Sequence, residues 1–294
     1  MMSRSSELRR CRPLLGTFVE IGADAGSQRA SAAIDAAFAA VERVQRLMSF
    51  HDDASDVALL NRDAAHHAVE VAPWTCEVLR AAQLLHEATG GAFDITVAPR
   101  LQRWGYLPEA DGGRALEKPA TDQSAIEVLA GNRVRFRRLV RIDLGGIAKG
   151  FAVDRAIDAL EAAGASSGIV NAGGDLRVFG PSPSMIHVRD PRQPGRALPL
   201  LEIDNAALAT SANYFARRKW RGRWVSPVID PRRGRSCTQA VSVSVRAATC
   251  MAADALTKVV MVMGRRSAQI LRDHAAAAFL VTPNGGVLTT EGSG

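Results

Sequence analysis

Several residue types that mark specialised classes of protein are scarce in this sequence. Aromatic residues make up only 5% of its 294 positions. The cysteines show neither a CxxC spacing nor histidine-rich surroundings, and they are Cys11, Cys76, Cys237 and Cys250. This scarcity argues against a zinc finger and against a disulfide-stapled scaffold, and it favours reduced, mostly buried thiols.

Long apolar runs are also missing. No segment approaches the ~18 continuous apolar residues of a membrane span. The N-terminus is basic, but no apolar run of signal-peptide length follows it. These absences predict a soluble cytoplasmic protein without a membrane span.

The sequence is rich in apolar residues and in positive charge. Apolar residues make up 47% of the chain and charged residues 23%, which favours a substantial core over global disorder. The net charge of +7 favours anionic partners such as phosphates, nucleotides, nucleic acid or an acidic membrane surface. The length suits one large domain or two intimately packed ones.

The most informative pattern runs from Arg141 to Asp175 and reads RIDLGGIAKGFAVDRAIDALEAAGASSGIVNAGGD. It predicts a short strand ending at Asp143 and then a helix from Ala148, along which apolar residues recur at helical spacing. Gly164 is predicted to end that helix, because glycine takes the left-handed cap most readily. A second strand is predicted to follow directly and to run into a glycine turn.

Glycine pairs follow both of these strands, at Gly145-Gly146 and at Gly173-Gly174. Without a Cβ atom, such residues let a large ligand lie against the backbone. The N-terminus of a helix attracts anions, and Lys149 adds a formal charge beside it. The pattern is compatible with a phosphate or nucleotide cradle and equally with a tight turn in any α/β protein.

Apolar periodicity predicts the remaining elements. Helices are expected at 27–48, 73–89, 249–263 and 267–274. Strands are expected at 14–22, 133–137, 139–143, 168–171, 207–214, 239–246 and 278–281, and hairpins at 185–203 and across 284–286. The polar stretch 107–125 is expected to be a surface excursion and a subdomain joint.

Three further features allow two interpretations each. His51 lies in a polar loop, where Ser55 is a candidate helix cap, and such a histidine is more often a loop residue than a catalytic one. Trp104 and Tyr106 form an aromatic pair suited to core packing or to a ligand surface. Arg217 to Arg235 holds eight basic residues and two tryptophans, typical of a solvated edge, with nucleic-acid binding as the alternative.

Taken in order, a series of segments resembles the ApbE family, the FAD:protein FMN transferases. These segments span roughly residues 14–264 and read LLGTFVEI, MSFHDDASDVALLN, TGGAFDITVAP, RWGY, IDLGGIAKGFAVD, VNAGGD, TSANY, SPVIDPRRGR, VSVSV and AADAL. The resemblance implies an α+β or α/β architecture with mixed sheets, outer helices and a flavin cleft between two lobes. Residues 14–264 would form the transferase domain, 265–294 would complete the same fold, and 1–13 would be a basic tail.

The resemblance also implies a reaction. FAD would bind in the cleft with Mg²⁺ on its pyrophosphate, and a Thr or Ser hydroxyl of an acceptor flavoprotein would attack the FMN phosphorus and release AMP. The residues carried over as flavin-nucleotide contacts are Leu15, His51, Ala92, Phe93, Asp94, Asp143, Lys149, Gly173, Gly174 and Ile229. The metal ligands carried over are Asp254, the main-chain carbonyl of Gly146 and, as a poor substitute for a family threonine, Thr257.

Three positions depart from the family pattern. A histidine proposed as the base is replaced by Pro227, and a threonine of the DPxTG motif by Arg233. Ser226 and Asp230 flank Pro227 and are the candidate catalytic residues. A threonine metal ligand is replaced by Lys258, whose ammonium group cannot coordinate Mg²⁺ while charged and would repel it.

Two readings of the site follow from these departures. In the first, the protein is a working transferase whose Mg²⁺ is held by Asp254, Gly146 and the substrate. In the second, Lys258 pairs with Asp254 and replaces the metal, which leaves a flavin-binding protein that transfers poorly or not at all. A Lys258 side chain that simply reaches solvent is a further possibility.

A third possibility is a different class of protein, a basic interaction module that has no small ligand and binds protein or nucleic acid. Cys11 lacks the preceding apolar run that the lipid anchor of exported family members requires.

Overall fold

The computed structural model describes residues 8–109, 121–186, 201–212, 216–237, 242–281 and 287–290. The helices are α1 (Ser27–Met48), α2 (Asp56–Asp63), α3 (Pro73–Ala88), α4 (Ala98–Arg103), α5 (Ala148–Ala162), α6 (Cys250–Met263) and α7 (Ala268–Asp273). The strands are β1 (Leu8–Leu14), β2 (Thr17–Asp24), β3 (Val69–Glu70), β4 (Ile126–Val128), β5 (Arg133–Phe136), β6 (Ser167–Ala172), β7 (Asp175–Phe179), β8 (Ser184–Ile186), β9 (Leu201–Ile203), β10 (Ala207–Ala212), β11 (Arg218–Trp220), β12 (Arg223–Val225), β13 (Ile229–Asp230), β14 (Arg235–Ser236), β15 (Ser242–Ala247), β16 (Ala277–Val281) and β17 (Val287–Thr290).

A large sheet organises the fold, with the strand order β1-β2-β6-β7-β10-β15-β16-β17. Every pair of neighbouring strands among the described residues is antiparallel, including the pairs of the smaller sheets. Helices and antiparallel strands in one chain confirm the α+β class, while the parallel strands of an α/β protein do not occur in these ranges.

The helices α1, α5 and α6 pack together against one face of the large sheet and enclose the main core. Strand β7 shows how the alternation of side chains serves both faces. Its Arg177 points to the helix side and binds Asp154 of α5 at 2.9 Å. Leu176 and Val178 point to the opposite face and form a smaller core with the β8–β9 hairpin. The sheet is therefore covered on both sides at this strand.

The predicted helices are confirmed within one or two residues of their ends. Helix α1 has the predicted bounds, and its buried stripe begins at Ala30 and recurs at helical spacing. Helix α5 ends just before Gly164, whose φ of 80° is the left-handed value expected of a glycine cap. Helix α6 begins after Thr249, whose side chain accepts a hydrogen bond from the N–H of Ala252.

The single strand predicted at 14–22 is wrong, because a turn divides it. Leu15 and Gly16 both have positive φ, 55° and 69°, and they join β1 to β2. A positive φ is unfavourable for leucine, and a hydrogen bond stabilises it here: the N–H of Leu15 donates to Oε1 of Gln45 at 2.6 Å. Residues 8–13, predicted as part of a basic tail, accordingly belong to β1. The apolar pattern did not predict this strand, because charged arginines occupy much of it. Arg10 and Arg12 pair with Asp35 of α1.

The strand predicted at 139–143 is also absent from the described sheets, although the chain is extended there. The amide side chain of Asn61 takes the place of a neighbouring strand. Its Oδ1 accepts from the N–H of Ile142 at 2.7 Å, and its Nδ2 donates to the Ile142 carbonyl at 2.9 Å. The N–H of Asp143 donates to the carbonyl of Ile95 at 2.8 Å. This extended segment is thus fixed by contacts outside any sheet.

Some predictions fall partly outside the described residues. The hairpin predicted at 185–203 is observed where β8 pairs with β9, while residues 187–200 lie outside. Strands β16 and β17 pair as predicted, and their turn across 284–286 lies outside. Most of the excursion at 107–125 lies outside as well. None of the helices in the described ranges has the length and apolar character needed to cross a bilayer.

Ser55 caps α2 as predicted and anchors the loop that carries His51. Its Oγ accepts from the N–H of Ala58 at 3.0 Å and donates to the carbonyl of Ser49 at 2.6 Å, and the residue is 1% exposed. We expect Ser55→Ala to lower the free energy of unfolding by about 1–2 kcal/mol, measured by chemical denaturation. Ser182→Ala, at an exposed serine, is the control and should change it by less than about 0.5 kcal/mol. Equal effects for the two variants would refute the cap.

Candidate functional site

Segments far apart in the sequence enclose a cleft of about 830 Å³. It is lined by the β1–β2 turn, by the loop after α1, by the segment after α3, by the extended residues before α5 and by the segment that contains Pro227. Clefts of this size commonly hold cofactors and other small molecules.

The cleft brings together most of the residues predicted to bind a flavin nucleotide. Those that line it are Leu15, His51, Ala92, Phe93, Asp94, Asp143, Lys149, Gly173 and Ile229. Gly146, predicted as a main-chain metal ligand, also lines the cleft. Lys258 lines it as well. Among the described residues that were predicted for the site, those that do not line it are Gly174, Ser226, Asp230, Asp254 and Thr257.

Gly173 and Gly174 form the turn between β6 and β7, with φ values of 63° and 102°. A Cβ atom on Gly173 would lie 2.5 Å from Oγ1 of Thr17, on the β1–β2 hairpin. The N–H of Gly174 donates to Oδ1 of Asn171 at 2.9 Å, which secures the turn. Both conformation and space therefore require glycine at 173, where the turn meets the hairpin wall of the cleft.

Asp94 is held in place by neighbours that the sequence motifs did not reveal. Its Oδ1 accepts from the N–H and Oγ1 of Thr96 at 2.7 and 2.5 Å, and its Oδ2 lies 3.6 Å from Nδ1 of His86. The same His86 nitrogen lies 2.9 Å from the carbonyl oxygen of Phe93. Burial raises the pKa of Asp94 above its usual value, although the hydrogen bonds from Thr96 and the nearby His86 oppose the increase.

Asp143 lies on the cleft surface at the end of the extended segment. Its Oδ1 accepts from the N–H of Gly145 at 3.2 Å. Part of its side chain faces the open cleft, yet desolvation raises its pKa, and the Gly145 N–H, His51 and Lys258 only partly offset this. Asp143 can therefore contact a ligand in the cleft, and its raised pKa makes its carboxyl group easier to protonate than that of an ordinary aspartate.

Two lysines that line the cleft and two buried aspartates form a cluster, which we call the lysine–aspartate cluster: Lys149, Lys258, Asp175 and Asp254. Nζ of Lys149 lies 2.6 Å from Oδ2 of Asp175. Burial alone would lower the pKa of Lys149, but the carboxylates of Asp175 and Asp254 outweigh it and leave this pKa above its usual value. The cluster therefore keeps a charged ammonium group on the cleft surface.

Asp254 is fully buried at the contact between α5 and α6. Its Oδ2 accepts from the N–H of Gly150 at 3.1 Å, and its Oδ1 binds Nζ of Lys258. Nζ of Lys258 also donates to the carbonyl of Asp254 at 3.0 Å. The two helices approach closely, because a Cβ atom on Gly150 would lie only 2.2 Å from the carbonyl oxygen of Cys250. Both carboxylate oxygens of Asp254 are accordingly engaged.

The donors at this position do not suit Mg²⁺. Thr257 is 0% exposed, and its Oγ1 donates to the Asp254 carbonyl at 2.7 Å and lies 2.7 Å from Oγ of Ser211. Asp175 is engaged by Lys149 and by the N–H of Thr210. Nowhere in the described part of the chain do three or more His, Cys, Asp or Glu residues group as metal ligands do. Two unit charges about 4 Å apart repel by about 4 kcal/mol at an effective dielectric constant of 20, and a divalent ion near Lys258 would double this.

The two candidate catalytic residues, Ser226 and Asp230, lie behind the cleft surface and support it. The Ser226 hydroxyl is 3.2 Å from the carbonyl oxygens of both Val228 and Cys237. Oδ1 of Asp230 accepts from the N–H and Nε of Arg232, both at 3.2 Å. These bonds shape the segment that exposes Pro227 to the cleft.

Tyr106 is a cleft residue that sequence reasoning left ambiguous. It lines the cleft, while Trp104 is 6% exposed and packs with Leu101, Val225 and Ile229, as the core interpretation predicted. The Tyr106 hydroxyl lies 2.6 Å from the Ala216 carbonyl and 2.9 Å from the Val225 carbonyl, which attaches the basic β11–β12 hairpin to the cleft wall. The concentration of aromatic residues in RWGY was the signal for this wall.

Comparison with protein-family models matches residues 15–280 to the ApbE family. A curated FAD:protein FMN transferase of Vibrio cholerae is 30% identical over 237 residues, which cover 76% of this chain and 71% of the relative. The FAD:protein FMN transferase of Haemophilus influenzae is 28% identical over 272 residues, 84% of this chain and 78% of the relative.

Solved structures agree with these matches. The crystal structure of the ApbE protein of Thermotoga maritima superposes with a TM-score of 0.86 at 30% identity and covers 97% of both chains. The apo form of the Pseudomonas stutzeri flavinyl transferase ApbE gives a TM-score of 0.82 at 25% identity and covers 98% of both chains.

Proposed function

Since this chain belongs to the ApbE family, we propose that it is an FAD:protein FMN transferase that moves FMN from FAD to a threonine or serine hydroxyl of an acceptor flavoprotein. AMP is the second product. The observation that carries the proposal is that residues from the separate family-matched segments converge on one cleft of about 830 Å³. If the sequence matches were accidental, these residues would not be expected to lie on one surface of the folded chain.

The lining of the cleft suits the parts of FAD. Ala92 and Phe93 offer apolar surface for the flavin ring. Lys149 and Lys258 offer ammonium groups for the diphosphate, and the tight turn at Gly173 lets the ligand lie close to the backbone. Asp94 and Asp143 are carboxyl groups that can bind polar edges of the nucleotide. Other contacts in this proposal come from Leu15, His51 and Ile229, while Gly174 helps to hold the turn that presents Gly173.

The reaction exchanges the phosphoanhydride bond within the diphosphate of FAD for a phosphoester bond to the acceptor. The acceptor hydroxyl oxygen bonds to the phosphorus of the FMN half, the bond from that phosphorus to the bridging oxygen breaks, and the bridging oxygen leaves with AMP. The hydroxyl proton is released in the same exchange. The protein mainly positions the groups and stabilises charge, because the transition state of phosphoryl transfer is loose.

A loose transition state asks little of a general base, which suits a site that has Pro227 at the family's base position. Asp143, at the end of the extended segment, and His51, in the loop after α1, are ionisable side chains that line the cleft. Ser226 and Asp230 act here as positioning residues, because they hold the backbone around Pro227 through hydrogen bonds.

The test is intact-mass spectrometry of an acceptor flavoprotein that carries a target threonine, incubated with this protein and FAD. We expect a mass gain of one FMN residue on the acceptor and the release of one AMP per transfer. An acceptor with valine at the target threonine is the control and should gain no mass. Lys219→Met, which removes a charge from the exposed β11–β12 hairpin, should leave transfer unchanged. Absence of any mass gain on the threonine acceptor would refute the transferase assignment.

One observation favours a second candidate function, a flavin-binding protein that does not transfer FMN. The Lys258–Asp254 pair occupies the position where the family resemblance places a metal ligand. Under this alternative, the purified protein binds FAD and shows flavin absorbance, yet the acceptor gains no mass. A colourless protein that binds nucleic acid with a steep salt dependence would instead favour the interaction module.

A further inference from the structure

We propose that Lys258 is the resident cation of this cleft and that its ammonium group binds the diphosphate of the dinucleotide in place of a divalent metal ion. The inference rests on the proposed function, since it takes FAD as the ligand. It concerns binding, however, and can be tested whether or not FMN is transferred.

The position of Lys258 is the first argument. It lies one helical turn after Asp254 on α6, and its ammonium group is fixed by the carboxylate and carbonyl of that residue. Its Cε atom lies 3.7 Å from the place a Cβ atom on Gly146 would take, so the side chain runs beside the glycine turn that opens α5. The side chain is 21% exposed and lines the cleft, which leaves part of it facing a ligand.

The way Lys258 is held is the second argument. An ammonium group has three N–H donors, and Asp254 takes two of them through different oxygen atoms. One donor remains for a phosphate oxygen. A flexible surface lysine would lose much rotamer entropy on binding a ligand, whereas this one is already ordered by the protein.

The charge of the lysine–aspartate cluster is the third argument. Lys149 and Lys258 bring two positive charges, Asp175 and Asp254 bring two negative charges, and the sum is zero. Without Lys258, the cluster would have a net charge of −1 and would repel a diphosphate unless a cation were added. Lys258 therefore does within the chain what an external cation would otherwise have to do.

The experiment is calorimetric titration of FAD into the 294-residue chain, first with EDTA and then with millimolar Mg²⁺. For the natural protein, we expect the two dissociation constants to agree within about twofold. Lys258→Met should weaken FAD binding by about tenfold or more in both conditions, because one charge-assisted contact is lost. Lys258→Thr should be similarly weak with EDTA and should regain affinity with Mg²⁺, because the repelling ammonium group is replaced by an oxygen donor.

Control titrations distinguish the loss of the Lys258 ammonium group from misfolding and from altered binding of the flavin ring. Riboflavin, which has no phosphate, should bind the natural protein and Lys258→Met with equal affinity. Lys219→Met removes a lysine outside the cleft and should bind FAD as the natural protein does. Lys258→Arg keeps the charge and should keep binding independent of metal, which guards against a variant that merely misfolds.

Two outcomes would overturn the inference. One is tenfold or greater strengthening of FAD binding to the natural protein by Mg²⁺. The other is unchanged FAD affinity in a folded Lys258→Met variant. If FAD binds without metal as expected but the acceptor gains no FMN, the resident cation stands and the transferase assignment fails.

Discussion

Replacing Lys149 with methionine is expected to lower the free energy of unfolding by about 3 kcal/mol, at the lower end of the cost of breaking a buried ion pair. The reason is that Asp175, whose side chain is 2% exposed, loses its partner at 2.6 Å and stays beside Asp254. The Lys149 side chain is 30% exposed, so solvent screens the ion pair and the expected loss of unfolding free energy is at the lower end of that range. Urea denaturation of the natural protein and the variant measures the difference.

The double variant Lys149→Met, Asp175→Asn distinguishes the ion pair from a packing effect. Removing the charge of Asp175 should recover most of the lost stability, because no uncompensated carboxylate remains. It should not recover FAD affinity, because the ammonium group on the cleft surface is still missing. A double variant as unstable as Lys149→Met alone would show that the lysine acts through packing.

The pH range follows from the direction of the Lys149 shift. Its pKa in the folded protein lies above the ordinary value of 10.5, so its contribution to stability is fully present below pH 10.5. That contribution should be lost as the pH rises through the folded-state pKa. The difference between the natural protein and Lys149→Met should therefore shrink only in strongly alkaline solution.

Gly150→Ala is expected to destabilise the protein by about 3 kcal/mol, although the same change inside a helix usually stabilises by about 0.5–1 kcal/mol. The new Cβ atom would lie 2.2 Å from the Cys250 carbonyl oxygen and 2.8 Å from Cβ of Asp254. Because the nearest neighbour is backbone, α5 and α6 must move apart. The opposite sign of the two effects makes thermal or chemical denaturation a sharp measurement.

Ala162→Gly is the matched control, since Ala162 is exposed at the last turn of the same helix. It should cost no more than about 1 kcal/mol, the ordinary difference in helix propensity. If Gly150→Ala stabilises the protein, the close contact between α5 and α6 described here is wrong.

The sequence was most predictive where a side-chain pattern and the local structure have the same period. Helix α1 and the glycine cap at Gly164 follow from spacing and composition alone. The adjacency of Asp254 and Lys258 also follows, because residues four apart share a helix face. Most cleft residues could be predicted too, but only through the family resemblance, since spacing alone left a tight turn equally plausible.

What the sequence did not reveal depends on contacts between distant segments. Lys149 and Asp175 meet because α5 packs on β7. The Asn61 side chain hydrogen-bonds to the backbone of Ile142, which lies 81 positions away in the sequence. Neither pairing leaves a periodic trace in the sequence. The division of the first strand at Leu15 was missed for a related reason, since a leucine with positive φ is unfavourable and needs Gln45 from α1 to hold it.

Strand β1 forms one edge of the large sheet, since it is the outermost strand on its side among the described residues. An unpaired outer strand can recruit another chain through its free N–H and C=O groups and so begin aggregation. Here Pro13 contributes no N–H, and Arg10 and Arg12 form ion pairs with Asp35 of α1. Charge and proline along this margin therefore discourage edge-to-edge pairing of two copies of the protein through β1.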